Sequence, residues 1–404
     1  MTGPGASLDA SVRSGGSRCP VCGGRRAAEL AEIRGVPLFC NRISRTRAAA
    51  LSASRGDILL SGCLVCGHVF NRAYDPAALD YATEYENSLH FSGRYRAYAE
   101  ETVRRLATRL DSGSKVVDIG SGRGDFLEML CRHSGCAGTG YDPSQAGGMI
   151  VADGPIRVDL VGRPTEAADL AAADLVSCRH VLEHLADPME LLAEVGLACR
   201  PGAVFFLEVP NGLFTIDRLS VWDLIYEHVS YFTPASLRWA LARAGFTSDG
   251  VHEDFGGQFL WTEARRSRGE RPGPECGGLE DSFSRYPARH SGILEEWRRR
   301  ISVELSAGRR LAVWGAGSKG VMFLNLLDLK AGGGVDWAID INPRKAGAFV
   351  AGTGQEIVTP DRLPEIRPDV LLVMNPEYRP EIGDAVAGLG LDIPMIPVCD
   401  GGSA

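Results

Sequence analysis

The stretch KVVDIGSGRGDFL, residues 115–127, predicts a short buried strand, a glycine-rich turn and the start of a helix. Glycines in such a turn let a ligand approach the backbone, and the helix N-terminus offers unpaired N–H groups. A GxGxG turn alone occurs in many α/β folds, but the next strand, residues 138–142, ends in Asp142. A carboxylate there is placed to accept hydrogen bonds from both hydroxyls of a ribose. The stretch therefore indicates a parallel α/β sheet with a nucleotide-like ligand at its edge.

A second strand and glycine turn, LAVWGAGSKG, occupies residues 311–320, and Asp340 ends the strand that follows. The usual fingerprint of this kind predicts a dinucleotide. Lys319 within the turn favours a terminal diphosphate instead, because phosphate binds readily at a helix N-terminus. A domain used only for packing or dimerisation is the alternative. We therefore expect two Rossmann-like sheets in one chain.

Two CxxCG knuckles lie in the N-terminal region, at Cys19–Cys22 and Cys63–Cys66. The spacing lets both thiolates of a pair reach one tetrahedral ion, and the glycine permits the tight turn around sulfur. Four such ligands close the coordination sphere, which predicts a structural zinc ion held by Cys19, Cys22, Cys63 and Cys66. A redox disulfide or two independent buried pairs are the alternatives. The long separation between the knuckles leaves room for an inserted hairpin.

Composition excludes several classes of protein. The chain has 404 residues, 45% hydrophobic and 23% charged, so it is neither wholly disordered nor fibrous. A net charge of −8 argues against general nucleic-acid binding, and no apolar run approaches the roughly 20 residues that span a bilayer. The first 18 residues lack the apolar core of a secretory signal and predict a disordered tail. Eleven cysteines, an odd number, favour a reducing cytoplasm over a disulfide scaffold.

Two later segments carry chemistry-bearing side chains. Residues 173–185, ADLVSCRHVLEHL, have the pattern of a fourth strand and a turn, and residues 222–234 contain Tyr226-Glu227-His228. A Tyr, a Glu and a His in one loop supply an acid/base and donors for a developing oxyanion. The alternative is an aromatic cluster packed over the sheet, with His228 a satisfied core residue. For His180, Glu183 and His184 we expect an ordinary helix-start role rather than a metal site.

The motif DIGSGRG, with Tyr141-Asp142 and HVLEH, resembles class I S-adenosylmethionine-dependent methyltransferases. The resemblance implies that the glycine loop takes the methionine part of the cofactor, that Asp142 binds the ribose, and that the strand-four segment lies beneath the sulfonium and adenine. Binding of NAD is the alternative for this unit. The residues expected to bind the cofactor are Asp118, Gly120, Gly122, Gly124, Asp142, Arg179 and His180.

The order of the two knuckles, this domain with its E-H-x-S-Y-F segment, and the second glycine turn resembles the sugar C-methyltransferases. These act on nucleotide-linked 4-keto-deoxysugars in antibiotic biosynthesis. The resemblance implies His228 as the base, with Glu227 and Tyr226 serving the substrate. Because the family motif I-Y-H-E-H is one residue longer, anchoring on His228 moves Tyr226 out of register. The residues expected to bind the substrate are Tyr85, His90, Asn211, Tyr231, Gly315, Gly317, Lys319 and Asn325.

We therefore expect C-methylation next to a ketone through an enolate, on a small-molecule substrate that is a sugar nucleotide, with no nucleic-acid or membrane partner and the oligomeric state left open. The alternatives are an O- or N-methyltransferase on another natural-product intermediate, or an NAD(H)-binding module fused to an inactive methyltransferase. The expected domains are a tail (1–18), a zinc-binding domain (19–72), the methyltransferase domain (73–265), a linker with a helix at 292–306 (266–307), and a second Rossmann-like, substrate-binding domain (308–404).

Overall fold

A computed structural model describes residues 18–79, 85–145, 147–267 and 278–398. Residues 1–17 of the expected tail and residues 268–277 of the expected linker lie outside these ranges. Within the described ranges there are three sheets, with four, nine and five strands. No helix in the described ranges is both long and apolar enough to cross a bilayer.

The N-terminal part contains β1 (Ala27–Pro37), α1 (Arg47–Leu51), β2 (Arg55–Cys63) and β3 (Val69–Asn71). The central part contains α2 (Gly93–Ala107), β4 (Lys115–Ile119), α3 (Asp125–Ser134), β5 (Ala137–Tyr141), β6 (Gly148–Asp153), β7 (Ile156–Val161), α4 (Ala167–Ala171), β8 (Leu175–Arg179), α5 (Pro188–Ala198), β9 (Val204–Pro210), α6 (Gly212–Ile216), β10 (Ser230–Tyr231), α7 (Pro234–Arg243), β11 (Phe246–Ser248), β12 (His252–Asp254) and β13 (Phe259–Arg266). The C-terminal part contains α8 (Glu280–Ser306), β14 (Leu311–Trp314), α9 (Ser318–Leu326), β15 (Val335–Ile339), β16 (Glu356–Val358), α10 (Leu363–Ile366), β17 (Val370–Val373), α11 (Arg379–Gly388) and β18 (Met395–Pro397).

The central sheet has the order β11-β13-β9-β8-β4-β5-β7-β6, with β12 paired to β13. Strands β4, β5, β7, β8 and β9 run parallel, and β13 closes one side antiparallel to β9. This is the doubly wound α/β fold that the glycine turn predicts. Because the parallel strands end at one edge, the turns after β4, β8 and β9 lie together there, where ligands bind in such sheets.

The N-terminal sheet has the order β1-β2-β3-β10 and begins with the long hairpin predicted between the cysteine pairs. Its last strand, β10, comes from the central part of the chain and pairs antiparallel with β3. The backbone N–H of Asn71 also donates to the carbonyl of Val229. The loop that contains His228 is therefore held between the N-terminal sheet and the central sheet.

The C-terminal sheet has five parallel strands in the order β16-β15-β14-β17-β18. Its core is continuous with that of the N-terminal part, because one cluster of buried side chains includes residues of β1, α8 and β14. This agrees with the α/β unit that the second glycine turn predicts.

The helix expected at 292–306 is longer, because α8 begins at Glu280. Its buried residues recur every three or four positions, from Phe283 through Tyr286 to Ile301, and Pro287 lies inside the helix. The helical spacing of apolar and charged residues predicted only 292–306. A proline inside a helix usually ends or kinks it. The ring of Phe283 packs so closely on Gly62 that a Cβ there would lie 2.6 Å from it. Burial of this apolar face outweighs the local effect of the proline.

Candidate active site

The glycine loop after β4 has three residues in the left-handed region, with φ of 68° at Gly120, 53° at Gly122 and 81° at Gly124. A Cβ on Gly120 would lie 2.2 Å from Cγ2 of Val181, so this glycine allows the loop to pack on the turn after β8. At Gly122, by contrast, an added Cβ would meet no described atom within 4 Å. The loop is therefore close-packed on one side and open above Gly122, as a cofactor loop requires.

The two expected acids of this unit differ in role. Asp118 is buried, accepts a hydrogen bond of 2.5 Å from the hydroxyl of Ser177, and its pKa is raised to about 6 by burial. It joins β4 to β8. Asp142, at the end of β5, accepts from the N–H of Gly122 at 2.9 Å and from Ser144. A carboxylate offers about four lone-pair positions and three are used by these donors, so Asp142 keeps one position, on Oδ2, for a ribose hydroxyl.

Arg179 and His180 surround the fully buried Glu208 at the end of β9. Arg179 donates twice to its Oε1, at 2.8 and 3.1 Å, Nε2 of His180 lies 3.0 Å from the same oxygen, and Tyr98 donates to Oε2. Burial alone would lower the pKa of His180, but Glu183 and Glu208 outweigh it and raise that pKa to about 9. The charged groups of Arg179 and His180 thus face Glu208, and their contact with a cofactor stays a prediction.

His228 lies on a loop that is fastened to the turn after β8. The N–H of Val229 donates to the carbonyl of Glu183 at 2.9 Å, and Nδ1 of His184 lies 3.0 Å from the carbonyl of Glu227. Since Val181 of the same turn touches the glycine loop, a continuous set of contacts joins that loop to His228. From the sequence, Glu183 and His184 have only a helix-start role, because the partners seen here come from a distant segment.

The imidazole of His228 is half-buried, with its ring centroid 4.8 Å from that of His184 and 6.0 Å from that of Tyr231. Burial, assisted by the neighbouring His184, lowers the pKa of His228 to about 3. The ring is therefore neutral near pH 7 and carries an unprotonated nitrogen.

Glu227 is fully buried beside Tyr85, and the structure brings these two predicted residues together. Oε1 of Glu227 accepts from the Tyr85 hydroxyl at 2.6 Å, and Oε2 accepts from the N–H of Cys40 at 2.8 Å. Burial raises the pKa of Glu227 and raises that of Tyr85 well above its usual value. Near the glycine loop, burial lowers the pKa of His90, whose ring packs edge-on against Tyr95 at 5.2 Å.

Three residues expected at the substrate bond to the protein backbone. The Tyr226 hydroxyl accepts from the N–H of Asp75 at 2.9 Å, and its ring packs on Gly56. The Tyr231 hydroxyl both donates to and accepts from the backbone of Ile225, which closes the loop around His228. The amide of Asn211 caps α6 and donates to the carbonyl of Gly257. Each of the three polar groups therefore has a backbone partner, and contact with a substrate stays a prediction for all three.

In the C-terminal turn, Gly315 has φ of 113°, and a Cβ at Gly320 would lie 1.9 Å from the Gly315 carbonyl oxygen. This close approach aims the start of α9, where Gly317 is the N-cap, at the edge of the sheet. Open backbone at that point suits a phosphate group.

Lys319 and Asn325 differ from expectation. The ammonium of Lys319 pairs with Asp223 and donates to the Ser220 hydroxyl at 3.1 Å, so it joins α9 to the central part of the chain. Asn325 lies near the other end of α9 and donates to the carbonyls of Val321 and Ala351. Its amide is committed to the backbone, far along the helix from the glycine turn.

The four knuckle cysteines form one group, with their Sγ atoms all within 4.8 Å of one another. The distances are 3.6 Å from Cys19 to Cys66 and 3.5 Å from Cys22 to Cys63. Tetrahedral Zn²⁺ with bonds of about 2.3 Å separates its sulfurs by roughly 3.8 Å, so the set fits such an ion. The N–H groups of Gly24 and Val65 point at two of the sulfurs, which would offset thiolate charge.

Comparisons with known proteins agree with this arrangement. Residues 91–249 match a family described as a methyltransferase domain, and residues 279–389 match one described as a C-methyltransferase C-terminal domain. The C-methyltransferase NovU of Streptomyces niveus is 25% identical over 307 residues, which cover 72% of each chain. The ubiquinone biosynthesis O-methyltransferase of Escherichia coli is 29% identical over 105 residues, covering 24% of this chain and 44% of that one.

Among solved structures, human N-acetylserotonin methyltransferase in complex with SAM is similar over 43% of this chain and 54% of that chain, with 20% identity and a TM-score of 0.32. An S-adenosylmethionine-dependent methyltransferase from Mesorhizobium loti is similar over 42% and 98%, with 18% identity and a TM-score of 0.32. Scores this low carry no weight here. The two family matches and the NovU relative do, and together they identify an enzyme of the methyltransferase class that is similar to C-methyltransferases.

Proposed function

We propose that the protein transfers a methyl group to a carbon next to a ketone in a nucleotide-linked deoxysugar, with His228 as the base. The observation that carries this proposal is the tether between two loops. The His228 loop is bonded to the turn after β8, and Val181 of that turn packs on Gly120 of the glycine loop. A substrate carbon between the two loops would meet both the base and the methyl donor.

His228 supplies the proton acceptor. A carbon beside a ketone becomes a nucleophile only when its proton leaves, and the neutral imidazole has a lone pair for that proton. Because burial lowers the pKa of His228 to about 3, the imidazole is a weak base, and the proton step depends on stabilising the oxyanion at the same time. S-Adenosylmethionine supplies the methyl group that the resulting carbon nucleophile attacks. The chain's remaining task is to hold the substrate in line and to exclude water. The Tyr85 hydroxyl, which now donates to Glu227, is a neutral donor that can turn to a developing oxyanion.

The cofactor would lie over Gly120, Gly122 and Gly124, with its ribose on Asp142. The open space above Gly122 and the spare acceptor capacity of Asp142 support this placement. In the N-terminal part, Cys19, Cys22, Cys63 and Cys66 would hold a structural zinc ion, with no position left for a substrate.

The nucleotide of the substrate would bind at the start of α9, along Gly315 and Gly317. Lys319 would contribute less directly than its sequence position suggests, because Asp223 neutralises it. Its role would be to fix the C-terminal part against the central part while backbone N–H groups meet the phosphates.

The test is product analysis with a panel of keto-sugar nucleotides and the methyl donor, followed by hydrogen exchange. We expect one added methyl on carbon, and deuterium uptake from solvent at the same carbon without the methyl donor. His228→Gln should abolish both uptake and turnover, whereas His252→Gln, which alters an exposed histidine, should change neither. Methylation on oxygen or nitrogen, or normal uptake in His228→Gln, would refute the proposal.

A further inference from the structure

A second group of metal-ligand side chains lies beside the proposed active site. One donor atom each from Glu183, His184 and His228 falls within 4.8 Å of the others. Glu183 is 1% exposed, and its Oε2 has no hydrogen-bond partner among the described residues. A buried carboxylate oxygen without a partner is destabilising, because it loses its hydration and gains no hydrogen bond in the folded chain. Its position among two imidazoles indicates the missing partner.

His184 has the tautomer that a metal ligand needs. Its Nδ1 lies 3.0 Å from the Glu227 carbonyl oxygen, which can only accept, so Nδ1 carries the proton and Nε2 carries the lone pair. Histidines that bind metals generally donate their other N–H to a carbonyl or carboxylate, which fixes both the tautomer and the ring orientation.

The backbone fixes the distance between the two segments that supply the ligands. Val229, which follows His228, donates to the carbonyl of Glu183, and the N–H of His228 donates to the carbonyl of Ile225 at 3.2 Å. The Tyr231 hydroxyl donates a hydrogen bond to the same carbonyl of Ile225. The backbone that carries the three side chains is therefore already ordered, so metal binding would not have to order it.

The donor set and its size suit a borderline divalent ion. Two imidazoles and one carboxylate are ligands for Zn²⁺ and for neighbouring transition metals, and three ligands leave a position open. Bonds of about 2.1 Å in a tetrahedral site place donors about 3.4 Å apart, so side-chain rotation closes the group from 4.8 Å or less. The positive charge of His180 opposes the binding of a cation here, since its Nδ1 lies 3.5 Å from the other oxygen of Glu183.

We propose that Glu183, His184 and His228 bind a divalent transition-metal ion at the edge of the active site. Glu183 Oε2, His184 Nε2 and one nitrogen of His228 are the ligands. The ion takes the lone pair that His228 would use for the proton, so the metal-bound protein does not methylate. Only this last consequence rests on the proposed function.

Equilibrium dialysis of the full chain against Zn²⁺, with metal per chain measured by mass spectrometry, tests the site. Wild type should hold one ion more than Glu183→Gln and His184→Gln, whatever the cysteine group retains. His133→Gln, which alters an exposed histidine on α3, should match wild type. Melting temperature and S-adenosylhomocysteine binding report whether each variant is folded. Equal metal content in folded wild type and folded ligand variants would overturn the proposal.

An activity measurement separates this proposal from the proposed function. Added Zn²⁺ should inhibit wild type, and a chelator should restore the rate. If the extra ion binds and depends on Glu183 and His184 but the rate is unchanged, the metal site stands and the role of His228 as base fails. If the ion does not bind and His228→Gln is inactive, the base stands and the metal site fails.

Discussion

Substitution of Gly120 by alanine tests the contact that joins the cofactor loop to the His228 loop. Alanine at φ of 68° costs about 1–2 kcal/mol in backbone strain. The new Cβ would also lie 2.2 Å from Cγ2 of Val181, and overpacking of this kind costs typically 1–3 kcal/mol. We therefore expect the free energy of unfolding to fall by about 2–5 kcal/mol in Gly120→Ala.

Gly135 supplies a matched control, because its φ is also 68° and an added Cβ would meet no described atom within 4 Å. Gly135→Ala should lose only the backbone share, about 1–2 kcal/mol, and bind S-adenosylhomocysteine normally. In Gly120→Ala, displacement of Val181 should weaken that binding by about 5–100-fold, the equivalent of 1–3 kcal/mol.

Chemical denaturation and calorimetric titration measure the two quantities. Val181→Ala in the Gly120→Ala background removes the colliding methyl groups, so it should recover most of the binding. Equal losses of stability in Gly120→Ala and Gly135→Ala, with no recovery on Val181→Ala, would show that the loop and the turn are not in contact as described.

Three further predictions concern buried charge. Burial lowers the pKa of His290 on α8 to about 4, so the unfolded chain binds the proton first and stability falls as the pH drops from about 6.5. In His290→Gln, the loss of unfolding free energy between pH 7 and pH 5, measured by denaturation, should be smaller than in wild type by about 2 kcal/mol. An unchanged loss would show that His290 is hydrated in the folded chain. Lys319→Gln and Asp223→Asn should show a coupling of about 1 kcal/mol in a double-mutant cycle of denaturation, and zero coupling would free Lys319 to meet a nucleotide. Glu208→Gln should destabilise by about 3–5 kcal/mol in the same assay because the buried guanidinium of Arg179 loses its carboxylate partner, while His180 keeps Glu183. Glu227→Gln should cost under half as much.

Local patterns predicted those parts of the structure that neighbours in sequence determine. The glycine loop at 120–124, the acid at Asp142 and the two cysteine knuckles each depend on backbone conformation within a few residues, and each lies at the place in the fold that the sequence predicts. The ligands that they would bind stay predictions. Strand and helix alternation gave both parallel sheets for the same reason, because a βαβ unit is a local pattern.

Long-range partners account for what the sequence could not predict. Tyr226 has the chemistry of a substrate-binding residue, but its hydroxyl accepts a hydrogen bond from the N–H of Asp75. Lys319 has the chemistry of a phosphate ligand, but it forms an ion pair with Asp223. Helix α8 passes through Pro287 because the N-terminal sheet covers its apolar face. In each case a residue distant in sequence outweighs the local preference, and no spacing rule contains that residue.

The two buried carboxylates of the site show how the same side chain acquires opposite chemistry from such partners. Glu208 has Arg179 and His180 against it; burial alone would raise its pKa, yet these cations lower it to about 2, so its charge is permanent. Glu227 accepts from the neutral Tyr85 hydroxyl and Cys40 N–H, the charge of His184 is a smaller influence, and burial raises the pKa of Glu227. Removing a carboxylate that is always ionised leaves a buried cationic partner without a counter-charge. Removing a carboxylate with a raised pKa changes mainly which groups of the pocket carry protons. Glu208 therefore belongs to the scaffold that holds the turn after β8, whereas a role of Glu227 in the chemistry stays a prediction.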